Sequence, residues 1–133
     1  GRMKGCYHPI GRPAGVLVVA EGFATAASIH AATGHAVACA FNAGNLLPVA
    51  AALRAKYPSL LLVLAADDDH RTEGNPGLTA ATTAALAVGG YVVKPQFSAA
   101  RLPGDTDFND LHHLDGLAAV RACFAELWEG IPC

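Results

Sequence analysis

Regular patterning begins at Val16-Leu17-Val18-Val19-Ala20, a continuous apolar run of strand length with no polar alternation. Such runs suit strands of a parallel sheet covered on both faces, because alternation arises only where one face meets water. Ala36 to Phe41, Leu60 to Ala66 and the shorter Tyr91-Val92-Val93 repeat the pattern. Three helix-like segments separate these runs. Phe23 to Thr33 is alanine-rich and closed by Gly34, Leu47 to Tyr57 carries Pro48 in its first turn, and Leu78 to Val88 is closed by Gly89-Gly90. The alternation with short links predicts right-handed crossovers and an open α/β sheet, with ligands at the carboxyl ends of the strands.

A last helix is expected over about Leu117 to Trp128, with Leu117, Val120, Phe124 and Leu127 on one buried stripe and Arg121 and Glu126 toward water. Residues 1–15 read as an irregular lead-in, with Tyr7-His8-Pro9 between glycines and prolines and room for a hairpin. The expectation is a domain over residues 16–133, cut from a larger multidomain protein. Phe97 to Asp107 is a loop with Pro103-Gly104 as its turn signal.

Composition narrows the class. The chain has 133 residues, 53% of them hydrophobic, enough for one domain with a real core. No apolar run approaches the ~20 residues that span a bilayer and no secretory leader is visible, so the expected location is the cytoplasm, with no membrane partner. Cys6, Cys39, Cys123 and Cys133 are far apart without a C-x-x-C pair, which argues against a zinc ribbon or a disulfide framework. Net charge is −2 and no Lys/Arg run exists, so the domain lacks the electrostatic footprint of a self-sufficient nucleic-acid binder.

The acidic residues are unevenly placed. Seven of eleven fall in three clusters, Glu21, Asp67-Asp68-Asp69 and Asp105 through Asp110, and the first two directly follow apolar runs. Carboxylates about 4 Å apart repel by roughly 1 kcal/mol in water and about 4 kcal/mol near a protein surface, so gathering them calls for a cation, shared protons or wide spacing. Oxygen-only donors suit Mg2+ or Mn2+. Glu21, followed by Gly22 and a helix start, is placed to bind metal or transfer a proton; a charge complementing the helix dipole is the plainer reading. Asp67 and Asp69 share a face if the chain leaves its strand extended, and Asp68 then points away. Asp107 is the better third ligand, Asp110 fits a helix cap as well as a metal contact, and Asp105 reads as loop charge.

Asn42-Ala43-Gly44-Asn45 leaves the second run toward the same edge, where a glycine between two amides offers a sharp turn and hydrogen bonds to phosphate. His70, Arg71 and Lys94 are further phosphate candidates, although a lone basic side chain is usually only solvated. His112-His113 is a weak zinc signal without a partner at metal spacing.

Glu21-Gly22 after the first strand, Asp67-x-Asp69 after the third and the late turn Asp107-Phe108-Asn109-Asp110 together resemble the Toprim domain of primases, topoisomerases and some nucleases. The likeness covers about Val16 to Leu114. Glu-Gly-Phe-Ala-Thr-Ala, Phe-Asn-Ala-Gly-Asn-Leu, Ala-Asp-Asp-Asp-His and Asp-Phe-Asn-Asp-Leu are most similar to the primases of conjugative plasmids, phages and integrated elements. The resemblance implies a largely parallel four-stranded sheet between helices, with Glu21 as general acid/base or metal-linked residue, Asp67 and Asp69 as Mg2+ (or Mn2+) ligands and Asp107 as the late aspartate. It implies short RNA primers made from nucleoside triphosphates on single-stranded DNA, with a helicase or other replication protein as partner. Gly22, Asn42, Gly44, Asn45, His70 and Arg71 are the expected substrate contacts. Thr25 stands where replicative primases commonly carry an aspartate, which favours the mobile-element branch. A metal-dependent nuclease and a non-catalytic docking module are the alternatives; a topoisomerase fits less well, because Tyr7, Tyr57 and Tyr91 have no supporting signal as its nucleophile.

Overall fold

The computed structural model describes residues 4–130, and the side chains of residues 128–130 as well as Cys133 lie outside the description. The elements run β1 (His8–Ile10), β2 (Val16–Ala20), α1 (Phe23–Thr33), β3 (Ala36–Cys39), a 3-10 turn (Ala43–Asn45), α2 (Leu46–Lys56), β4 (Leu61–Ala65), α3 (Pro76–Val88), β5 (Tyr91–Val93), α4 (Phe108–Asp115) and α5 (Leu117–Gly130). Sheet order is β1-β3-β2-β4-β5, with β2 to β5 parallel and β1 antiparallel to β3.

The count of five corrects the expected four. The added strand comes from the lead-in, which pairs His8 with Cys39 and Ile10 with Val37 instead of folding into a hairpin of its own. Nothing in three residues with a central proline marks a strand, and Pro9 is tolerated because β1 is an edge that needs no donor on its outer side.

Unbroken apolar runs follow from what covers each face. Leu17, Val19, Leu62 and Leu64 point to one side, against Val49, Ala50 and Leu53 of α2 and Ala81, Ala84 and Ala85 of α3. Val18, Ala20, Val63 and Ala65 point to the other, against Ala26 and Ile29 of α1, Phe108 and Leu111 of α4, and Val120 and Phe124 of α5. Both sets are buried, so neither face shows polar alternation. Burying a Val, Leu or Phe side chain is worth about 1.5–3 kcal/mol, so the two cores carry the fold and leave the strand ends free to hold groups that repel one another.

The order in which strands join the sheet reverses at β2. The chain steps from β2 to β3 on one side through α1, then crosses back over β2 to β4 through α2, and continues to β5. The crevice between the carboxyl ends of β2 and β4 is therefore the switch point at which open α/β sheets bind ligands. Ala20 and Ala65 are register partners, which sets Glu21 and Asp67 just past the ends of neighbouring strands.

Candidate metal centre

Asp67 is the focus of this edge. Burial pushes its carboxyl up, and the adjacent Glu21 adds to this through its charge and a side-chain hydrogen bond, followed by the charges of Asp107 and Asp69; the result is about 8. One of its oxygens, Oδ1, is buried with no hydrogen-bond partner. An acid surrounded by acids with an unpaired oxygen calls for a proton or a cation.

Asp69 leaves the strand on a loop that the next helix fixes. Its Oδ2 accepts from the Gly77 N–H at 2.7 Å, one of the orphan donors at the start of α3. Asn75 caps that helix in a left-handed conformation, φ 41°, with Oδ1 accepting from the Asp69 N–H at 2.7 Å and from the Leu78 N–H at 3.4 Å. The helix thus starts at Pro76, earlier than Leu78, with proline at its favoured first position.

Asp68 departs from the other two, as the period of two predicts, but into the protein. It is buried, with Oδ1 accepting from Asn75 Nδ2 at 2.7 Å and Oδ2 paired with Arg101 Nη1 at 3.1 Å. Burial alone would push this carboxyl up; the Asn75 and Arg101 hydrogen bonds, with the charges of Arg101 and Lys94, outweigh it and hold the group below its usual range.

Asp107 is the N-cap of α4. Its Oδ1 accepts from the Asp110 N–H at 2.8 Å, while Asp110 Oδ2 accepts from the Asp107 N–H at 3.2 Å and the Thr106 N–H at 2.8 Å. The two form a capping box, so Asp110 supports the cap from the third helical position. Burial and the charge of Asp110 raise the Asp107 carboxyl in spite of its backbone hydrogen bonds. Asp105 Oδ2 closes a turn by accepting from the Leu102 N–H at 2.9 Å.

The expected phosphate contacts divide. Gly22 is the uncapped N-cap of α1, and a side chain there would meet nothing within 4 Å. Asn42 Oδ1 accepts from the Asn45 N–H at 2.9 Å, and Gly44 is exposed beside it. Asn45 is buried and fully engaged: Nδ2 donates to the Cys6 and Ala40 carbonyls at 2.9 and 3.0 Å and Oδ1 accepts from the Gly5 N–H at 2.8 Å. It ties the lead-in to the turn after β3, so a substrate contact through its side chain is not available. His70 and Arg71 are exposed in the turn after Asp69, and Lys94 is exposed past β5. His112 Nδ1 lies 3.0 Å from Ser28 Oγ, which joins α4 to α1. Three residues that hold the acidic loops, Gly77, Asn75 and Arg101, escaped sequence reasoning; only Asn75-Pro76, a cap followed by proline, carried a usable signal.

Among the described residues no group of three or more His, Cys, Asp or Glu forms a ready-made metal cage. The donor chemistry nevertheless fits Mg2+, which uses one or two carboxylates and leaves its other positions to water and substrate phosphate. Asp67, with its unpaired oxygen and Glu21 beside it, is the centre of such a donor set, and the charges of Asp107 and Asp69 act on the same carboxyl.

The Toprim domain family matches residues 16–118. Two curated Escherichia coli proteins named DNA primase TraC are similar to the chain. One is 45% identical over 116 residues, covering 80% of this chain and 11% of that protein; the other is 45% identical over 108 residues, covering 74% and 8%. The chain thus spans about a tenth of the length of these relatives. No solved structure matches it.

Proposed function

The chain belongs to the Toprim domain family, and from that premise we propose that it is the catalytic Toprim domain of a DNA primase, extending nucleoside triphosphates into short RNA primers on single-stranded DNA. The observation that carries the reading is Asp67, raised to about 8 beside Glu21 with one buried oxygen unpaired, at the switch point of the sheet.

Glu21, Asp67, Asp69 and Asp107 are the residues proposed to hold Mg2+ or Mn2+. A bound divalent cation would neutralise triphosphate charge and acidify the attacking 3′-hydroxyl. The chain's own groups do the rest. Asp67 would have to release its proton for a cation to bind, Glu21 shares a side-chain hydrogen bond with it and is the residue proposed to assist proton transfer, and Asp69 is held by the Gly77 N–H. Gly22, Asn42 and Gly44, with His70 and Arg71, offer backbone and side-chain donors along the same strand ends for phosphate oxygens. The net charge of −2 supports a division of labour in which other parts of the parent protein grip the DNA template and any helicase partner. None of the helices among the described residues is long and apolar enough to cross a membrane.

Primer synthesis by the full-length parent, assayed on single-stranded DNA with ribonucleotides, tests the reading. Asp67→Ala/Asp69→Ala is expected to abolish it. Normal synthesis by that variant refutes the proposal, and metal-dependent nicking of DNA without nucleotides would mark a nuclease instead.

A further inference from the structure

Arg101 lies far in sequence from the acidic loop after β4, yet it is the side chain that joins that loop to the one carrying Asp107. Its Nη1 donates to Asp68 Oδ2 at 3.1 Å and its Nη2 to the Asp68 carbonyl at 3.0 Å. On the other side Nε and Nη2 donate to the Asp105 carbonyl at 3.1 and 3.0 Å. The guanidinium carbon sits over the Phe97 ring, 4.3 Å from its centre, a cation–π contact that adds to the packing of the planar fork. A backbone hydrogen bond from the Asp68 N–H to the Thr106 carbonyl at 2.7 Å runs parallel to this bridge.

We propose that Arg101 is a positioning residue for the metal centre: it sets the separation between Asp67 and Asp107 by clamping the residue after the first to the residue two before the second. This rests on the metal reading above. Two features separate it from an ordinary surface ion pair. The guanidinium uses its whole planar fork, two contacts on each loop, which a lysine cannot reproduce. It also occupies the Asp68 carboxylate, so that the middle acid of Asp67-Asp68-Asp69 is withdrawn from the site and a cation there would meet only Asp67 and Asp69 of that run. Asp68 therefore works as the handle by which Arg101 holds the loop.

The test is Mn2+ binding to the full-length protein, followed by electron paramagnetic resonance, counting only the site lost in Asp67→Ala/Asp69→Ala. Arg101→Ala is expected to weaken that site about tenfold. Arg101→Lys is expected to recover the melting temperature while leaving affinity at least about fivefold weak, because the lysine pairs with Asp68 but cannot bridge to Asp105; it also decides the matter if Arg101→Ala fails to fold. Wild-type affinity in Arg101→Lys would show that charge alone suffices and overturn the proposal. A wild-type protein that binds no Mn2+ at this site would overturn the metal reading itself, and this inference with it.

Discussion

The Gly77 N–H donates to Asp69 Oδ2 at 2.7 Å, and a methyl group added at Gly77 would lie 2.7 Å from that same oxygen and 2.8 Å from Asp67 Cβ. The start of α3 is thus packed directly against both acids of the Asp-x-Asp pair, and only a residue without a side chain fits between.

Gly77→Ala sets two effects against each other. Helix propensity favours alanine by about 1 kcal/mol. Overpacking against a carboxylate oxygen and a Cβ, with the Asp67 carbonyl at 3.2 Å as well, costs about 1–3 kcal/mol and cannot be relieved by a flexible side-chain tip alone. Thermal denaturation is expected to show a net loss of about 1 kcal/mol, and Mn2+ titration a loss of about tenfold or more as the acidic loop shifts.

Asp67 makes stability depend on pH in a particular sense. Its folded value of about 8 lies above the ordinary 3.8, so the folded chain holds an extra proton between those limits. The resulting contribution is fully present below the ordinary value and is lost as pH rises through about 8. Without metal, the melting temperature of the wild type is expected to fall across that window. Asp67→Asn should flatten the fall and melt several degrees higher at pH 8.5, about 4 °C for each kcal/mol relieved. Equal slopes in the two proteins would rule out this role.

Asp68 acts in the opposite sense. Its folded value is depressed, so its contribution is present above the ordinary carboxylate value and is lost as pH falls through the lowered one. Asp68→Ala removes the ion-pair partner of a mostly covered Arg101 and leaves Asn75 Nδ2 without its acceptor; about 1–3 kcal/mol is expected in urea denaturation at pH 7. The difference from wild type should shrink in strong acid.

The capping box predicts a smaller effect with a functional readout. Asp110→Ala removes the acceptor for the Thr106 and Asp107 N–H groups and is expected to cost about 1 kcal/mol. Because Asp107 hangs on that box, Mn2+ affinity should fall too, by less than in Asp67→Ala.

Most of the sheet could be read from the sequence because β2, β3 and β4 are buried on both faces, and that burial writes itself as unbroken runs of Val, Leu, Ala and, in β3, Cys39. β1 could not, since an exposed three-residue edge strand has no pattern to show and is defined by its partner, β3. At the site, Glu21 and Asp67 were legible as acids at strand ends, a local signal. Arg101 was not, because its pairing with Asp68 exists only after the loops fold together. Asn45 misled for a related reason: an amide in a turn looks the same whether it awaits phosphate or, as here, is spent on Cys6 and Ala40.

Glu21, Asp67, Asp69 and Asp107 are proposed to form one divalent-cation site that competes with the Asp67 proton. Its most direct test is an Mn2+ titration of this domain by calorimetry across pH 6 to 9. One site is expected, lost in Asp67→Ala/Asp69→Ala, with affinity rising toward pH 8, levelling above it, and proton release on binding below it. Binding that survives the double substitution, or that shows no dependence on pH through this range, would contradict it.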